Sequence, residues 1–292
     1  MASIKFKQIL TLTIDSFCYL CAMFKKAGIL FVVVALLGLT ACNKYNRLLK
    51  SSDFELKYNK AVEYYGKKNY VKALPLFEEL MTVYRGTAKA EQVAYYYAYC
   101  NFGLEDYLLA SYHLKNFVKS FPRSEFAEEA LFTSAYCYYL DSPVYSLDQE
   151  NTMKAINEFQ LFVNMYPNST RLKDCNDYID LLRRKLERKA YENATLYFNI
   201  EDYKASMQAF RNLLKDFPDN PYREEANFMI LKSNFLLAKN SITEKKPERY
   251  KSTIEHYYKF IDNYKDSKYL REAETIFEQS QKQLAKEKSV KS

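Results

Sequence analysis

The chain has 292 residues, 48% hydrophobic and 27% charged, a composition that supports a packed core and argues against global disorder. Its 5 glycines and its lack of Asn-Gly or Asp-Gly dipeptides argue against an all-β fold. Net charge is +7, but beyond residue 41 it falls to a dispersed +4, thirty-nine basic against thirty-five acidic residues. No basic patch is interleaved with aromatics, so nucleic acid is not an implied partner.

Residues 23–42 read MFKKAGILFVVVALLGLTAC. Lys25 and Lys26 precede an 11-residue apolar run, Ile29 to Leu39. That run is short for a membrane span and suits the apolar core of a signal peptide. It ends in Leu39-Thr40-Ala41-Cys42, which resembles the bacterial lipoprotein signal, where cleavage precedes a cysteine that takes the lipid on its thiol. The reading is a signal peptide over 1–41 with Met23 as the natural start, or else an unusually long basic leader ahead of the apolar run, and in either case a mature chain beginning at lipidated Cys42. Ordinary secretory cleavage beside an incidental cysteine is the alternative. Asn43 is not an aspartate, which under the enterobacterial sorting rule directs the lipoprotein to the outer membrane. Residues 42–53 read as a polar, lipidated tether.

From Phe54 a register recurs. Counting back 5, 8, 12 and 15 residues from Arg85 gives Leu80, Phe77, Ala73 and Tyr70. From Pro122 it gives Phe117, Leu114, Ala110 and Tyr107, and from Pro167 Phe162, Phe159, Ala155 and Thr152. From Pro218 it gives Leu213, Phe210, Ser206 and Tyr203, and from Lys265 Phe260, Tyr257, Thr253 and Tyr250. A small residue among bulky ones at helical spacing marks where two helices pack closely. The intervals of 37, 45, 51 and 47 residues are those of stacked helix pairs. The reading is an all-α solenoid, an α-α superhelix of about five helix pairs over 54–85, 88–122, 125–167, 172–218 and 223–265. A capping helix follows, Leu270 to Leu284, and then a polar tail, 285–292. Asp141 to Asn151 and Asn240 to Glu248 read as loops, and LLRRKLERK (Leu181 to Lys189) lengthens the first helix of the fourth pair.

Catalytic and metal constellations have no candidates. The two histidines, His113 and His256, lie in separate second helices without Cys or acidic residues at ligand spacing. No P-loop, GxGxxG turn or Ser-His-Asp pattern occurs, so neither metal nor cofactor is implied beyond the lipid on Cys42. Cys100, Cys137 and Cys175 sit among apolar neighbours and read as buried thiols, although an oxidising compartment would allow one disulfide. Aromatics are the sharper signal. Tyr58 and Tyr65, then Tyr95, Tyr99 and Phe102, then Phe132, Tyr136 and Tyr139 fall where first helices of such repeats face a concave groove that takes an extended peptide or a partner helix. The competing reading packs these rings onto their own second helices.

The small-residue position and terminal proline of Ala110 with Pro122, and of Ala155 with Pro167, resemble the tetratricopeptide repeat. Five such repeats behind a lipoprotein signal resemble the BamD family of outer-membrane β-barrel assembly lipoproteins. The local markers are FVKSFPRSEFAEEA, FVNMYPNSTRLKDC and LLKDFPDNPYREEA, with the helix LLRRKLERKAYENATLYF. That resemblance implies a non-enzymatic scaffold in the outer membrane, facing the periplasm. Repeats over 54–167 would receive unfolded outer-membrane proteins. Those over 168–284 would dock the barrel-forming subunit, through basic residues that Arg183 and Arg184 resemble by position, beside the other assembly lipoproteins. The alternative is a lipoprotein adaptor for another envelope complex, such as peptidoglycan enzymes. A glycan-binding lipoprotein is a third class.

Overall fold

The computed structural model describes residues 44–291. The signal peptide, Leu39, Thr40, Ala41 and Cys42 lie outside the described residues. Among the described residues the fold is all-α, a run of antiparallel helix pairs, and it divides into two compact units between Leu104 and Glu105.

The first unit holds residues 44–49 (α1), Phe54–Gly66 (α2), Tyr70–Val83 (α3) and Ala90–Gly103 (α4). Its core joins Leu48, Ala61, Ala73, Leu76, Phe77, Leu80, Val93 and Cys100. The expected polar tether is largely this short helix. Tyr45, Leu48 and Leu49 recur at i, i+3 and i+4, enough for one apolar face, and Leu48 is only 8% exposed. The Tyr45 hydroxyl donates to the Lys72 carbonyl at 3.0 Å, and its ring meets Tyr64 edge-on.

The second unit runs Tyr107–Ser120 (α5), Ala127–Leu140 (α6), Glu150–Met165 (α7), Leu172–Asn199 (α8), Tyr203–Asp216 (α9), Arg223–Lys239 (α10), Lys246–Asn263 (α11) and Leu270–Lys291 (α12). Each helix packs on the next, and α12 also touches α10. At 28 residues, α8 is the lengthened helix the sequence implied. Three ends differ from expectation. The loop expected over Asp141 to Asn151 stops at Gln149, because α7 already begins at Glu150. Pro247 lies in the first turn of α11 rather than in a loop, because proline's missing N–H costs nothing there. The presumed tail continues α12 to Lys291.

The register explains the close packing. Ala73, Ala110, Ala155, Ser206 and Thr253 are all fully buried. The two polar ones satisfy their hydroxyls on backbone, Ser206 on the Ala194 carbonyl at 3.1 Å and Thr253 on that of Arg249 at 2.9 Å. The turns repeat as well. A residue at positive φ (Lys68, Glu105, Glu201) precedes the N-cap of α3, α5 and α9. Asp106 and Asp202 then accept a backbone N–H to start their helices. After the second helices, Ser124, Ser169, Asn220 and Ser267 each accept the amide two residues on, at 2.9–3.1 Å. These side chains reset the chain for the next helix.

Candidate partner-binding surfaces

In the first unit, α2 contributes Tyr58 and Tyr65, and α4 contributes Tyr95, Tyr99 and Phe102 at i, i+4 and i+7. All five are half-buried. Tyr95 and Tyr99 are 4.4 Å apart between centroids, and Phe102 meets Tyr99 edge-on at 6.3 Å. Tyr65 leans on Tyr96 at 4.8 Å, and burial pushes its hydroxyl pKa up. Tyr96 was not singled out from the sequence, yet it also stacks on Phe77 at 5.3 Å and so ties the array to the core. At the other end the Tyr58 hydroxyl donates to Gln92 at 2.7 Å. Lys89 sits 4.7 Å over the Tyr58 ring and pairs with Glu55 at 2.5 Å. The result is a semi-rigid aromatic surface with a charged edge, able to take apolar or aromatic side chains.

In the second unit the three named aromatics separate. Phe132 is 7% exposed, because Phe159 and Phe162 of α7 lie 6.0 and 5.7 Å away and the Arg171 guanidinium covers it at 4.3 Å. It holds α6 against α7 and presents no face to a partner. Tyr136 and Tyr139 stack at 5.6 Å and remain half-buried. Tyr178 of α8, absent from the sequence reading, completes their cluster at 5.5 and 4.6 Å.

The basic run of α8 divides by role. Lys185 donates to the Ser142 hydroxyl at 2.7 Å, Lys189 donates to the Leu147 carbonyl at 2.6 Å, and Arg188 lies 4.2 Å over Tyr145. These three hold the 141–149 segment. Arg183 and Arg184 are exposed, form no ion pair among the described residues, and line a cleft of about 560 Å³ with Asp180, Glu187, Phe217, Pro218, Asp219 and Pro221. Burial raises the Glu187 pKa against the pull of both guanidiniums. Two free forks beside a partly desolvated carboxylate suit an acidic partner segment. A second cleft, about 530 Å³, lies along Leu108, Leu109, Tyr112 and Lys115 of α5 and reaches Tyr138. Nothing in the repeat register pointed to it, because these residues sit on the face opposite the stripe.

Cys100, Cys137 and Cys175 are free, fully buried thiols. His256 bonds through Nδ1 to the Ser252 carbonyl at 2.8 Å and has Arg211 at 3.3 Å from Nε2, with burial lowering its pKa. Among the described residues no group of His, Cys, Asp or Glu could hold a metal ion, and no helix is long and apolar enough to cross a membrane.

The profile of the YfiO family, described as outer membrane lipoprotein, matches residues 51–246. No curated protein sequence matches the chain. Among solved structures, the P58(IPK) TPR domain is similar at 14% identity and a TM-score of 0.39, over 82% of this chain and 68% of that one. The TPR2AB domain of yeast Sti1, in its pHSP90 complex, is similar at 13% identity and a TM-score of 0.37, over 79% and 99%. At such scores these likenesses say nothing of what this chain binds.

Proposed function

We propose, from the premise that the chain belongs to the YfiO family of outer membrane lipoproteins, that it is a non-enzymatic scaffold of the β-barrel assembly complex, helping to recognise, fold and insert outer-membrane β-barrel proteins. YfiO is the BamD family that the sequence resembles. The observation that carries the reading is the family match over 51–246, which contains the aromatic surface of the first unit and the Arg183–Arg184 cleft of the second. The protein is held to the periplasmic face of the outer membrane by lipid on Cys42. Tyr58, Tyr65, Tyr95, Tyr99 and Phe102 take the aromatic end of an unfolded barrel protein's strand, with Tyr136 and Tyr139 offering a second apolar contact. Arg183 and Arg184 dock an acidic part of the barrel-forming subunit, next to the other assembly lipoproteins.

Depletion tests this. If the chain serves barrel assembly, outer-membrane β-barrel proteins fall in abundance before cell shape changes. Normal barrel levels with altered peptidoglycan cross-linking would move the function to a cell-wall adaptor. The anchor has its own test: Cys42→Ala abolishes lipid attachment, and recovery of acylated protein from that variant would count against it.

A further inference from the structure

We infer that the outer face of α1 is a membrane-contact surface for anionic phospholipid headgroups, a reading that rests on the lipid at Cys42. Only Asn43 separates Cys42 from Lys44, two Cα steps that span at most about 7 Å. Beyond them the chain is not a loose leash. Helix α1 is fixed to the first unit by buried Leu48, by the Tyr45 hydroxyl, and by Lys57, which donates to the Leu49 carbonyl at 2.9 Å. A lipid on Cys42 therefore brings this face of the unit down to the headgroup layer.

The chemistry of that face fits the location. Tyr45, Leu48 and Leu49 point one way along the helix, while Lys44, Arg47 and, in the following turn, Lys50 lie on the opposite side. All three basic side chains are exposed, and none is in an ion pair with any described residue. Four of the unit's six acids are engaged elsewhere: Asp53 caps α2, Glu55 binds Lys89, Glu63 binds Lys60 and Lys67, and Glu79 binds Lys57. The charge is also unevenly divided. Residues 44–104 hold ten Lys and Arg against six Asp and Glu, whereas residues 105–292 hold twenty-nine of each. The excess positive charge of the mature chain thus resides in the unit that bears the anchor. One acyl anchor reinforced by a short basic cluster is the physical recipe for stable attachment.

The test uses the mature chain from residue 42 with Cys42→Ser, which lacks lipid and keeps every described residue. Its partition onto vesicles of 30% phosphatidylglycerol in phosphatidylcholine is compared with that onto phosphatidylcholine alone. Expected are salt-sensitive binding to the anionic vesicles only, and a loss on the order of 100-fold in K44Q/R47Q/K50Q, from about fivefold per basic side chain. Thermal unfolding is unchanged in that variant. A control triple, K239Q/K245Q/K251Q, at exposed positions of the second unit, keeps wild-type partition. The proposal is overturned if the parent chain ignores anionic vesicles, if the α1 variant binds as well as the parent, or if the control loses as much. Because this protein is unlipidated, none of these results depends on acylation, which the mass of the amino-terminal peptide of the natural chain decides separately.

Discussion

The Lys57 ammonium group donates to the Leu49 carbonyl at 2.9 Å while its side chain is 1% exposed, and Glu79 meets it at 2.5 Å. A buried lysine is expensive unless both partners are present. Here it closes the carboxyl end of α1 onto the first helix pair.

Lys57→Ala should therefore cost about 2–3 kcal/mol, the usual loss for buried hydrogen bonds to a charged group, read from urea unfolding. Glu79 is open enough to water to recover its own solvation. Amide exchange over residues 44–49 should rise towards the rate of an open chain. Retained protection there would show that α1 is held by Tyr45 and Leu48 alone.

The small position of the register gives a packing prediction. Ala155 is fully buried on α7, whereas Met153 is 51% exposed on the same helix. Ala155→Leu should destabilise by about 1–3 kcal/mol through overpacking, and Met153→Leu should stay within about 0.5 kcal/mol. Equal effects in denaturant titrations would mean that the helix approach is not limited by this residue.

Much of this was legible in the sequence, and the reason is physical. The second helices α3, α5, α7, α9 and α11 each have one buried stripe, so their spacing shows in the residues. First helices such as α6 are packed on both sides, eight of fourteen residues being buried, and periodicity hardly marks their faces. That is why Phe132 read as a groove residue. The rings that cover it come from α7, and Arg171 precedes α8. Tyr96 and Tyr178 were missed for the same reason, since their importance comes from rings on neighbouring helices. The docking of α1 was hidden by its length, because six residues carry too little pattern to outweigh a polar composition.

The three thiols predict a pH dependence. Burial pushes Cys100 and Cys137 up to about 12 and Cys175 up to about 11, from an ordinary value of 9.0. Raised folded-state values favour the neutral thiol in the fold. Their contribution to stability is thus complete below pH 9 and is lost as pH rises through 11 to 12. At pH 8 an alkylating reagent should label none of the three until denaturant is added. Rapid labelling of the folded protein would contradict their burial.

Arg183 and Arg184 are exposed and outside any ion pair among the described residues, so reversing them should leave the protein folded by thermal unfolding, with a modest loss from the carboxylates of Asp180, Glu187 and Asp219 beside them. Arg183→Glu with Arg184→Glu should reduce recovery of the docked partner at least tenfold, in line with the roughly 2–5 kcal/mol for breaking an interfacial charge pair. With the guanidiniums gone, the Glu187 carboxyl should titrate higher still, since they now hold it down against burial. Unchanged partner recovery would assign docking to another surface.

The most direct test of the scaffold role is to tag the carboxyl terminus, extract membranes in mild detergent and identify what co-purifies by mass spectrometry. A stoichiometric outer-membrane barrel protein with periplasmic domains is the predicted result. A peptidoglycan synthase or hydrolase in its place would contradict the assembly role, while leaving the repeat fold and the family unchanged.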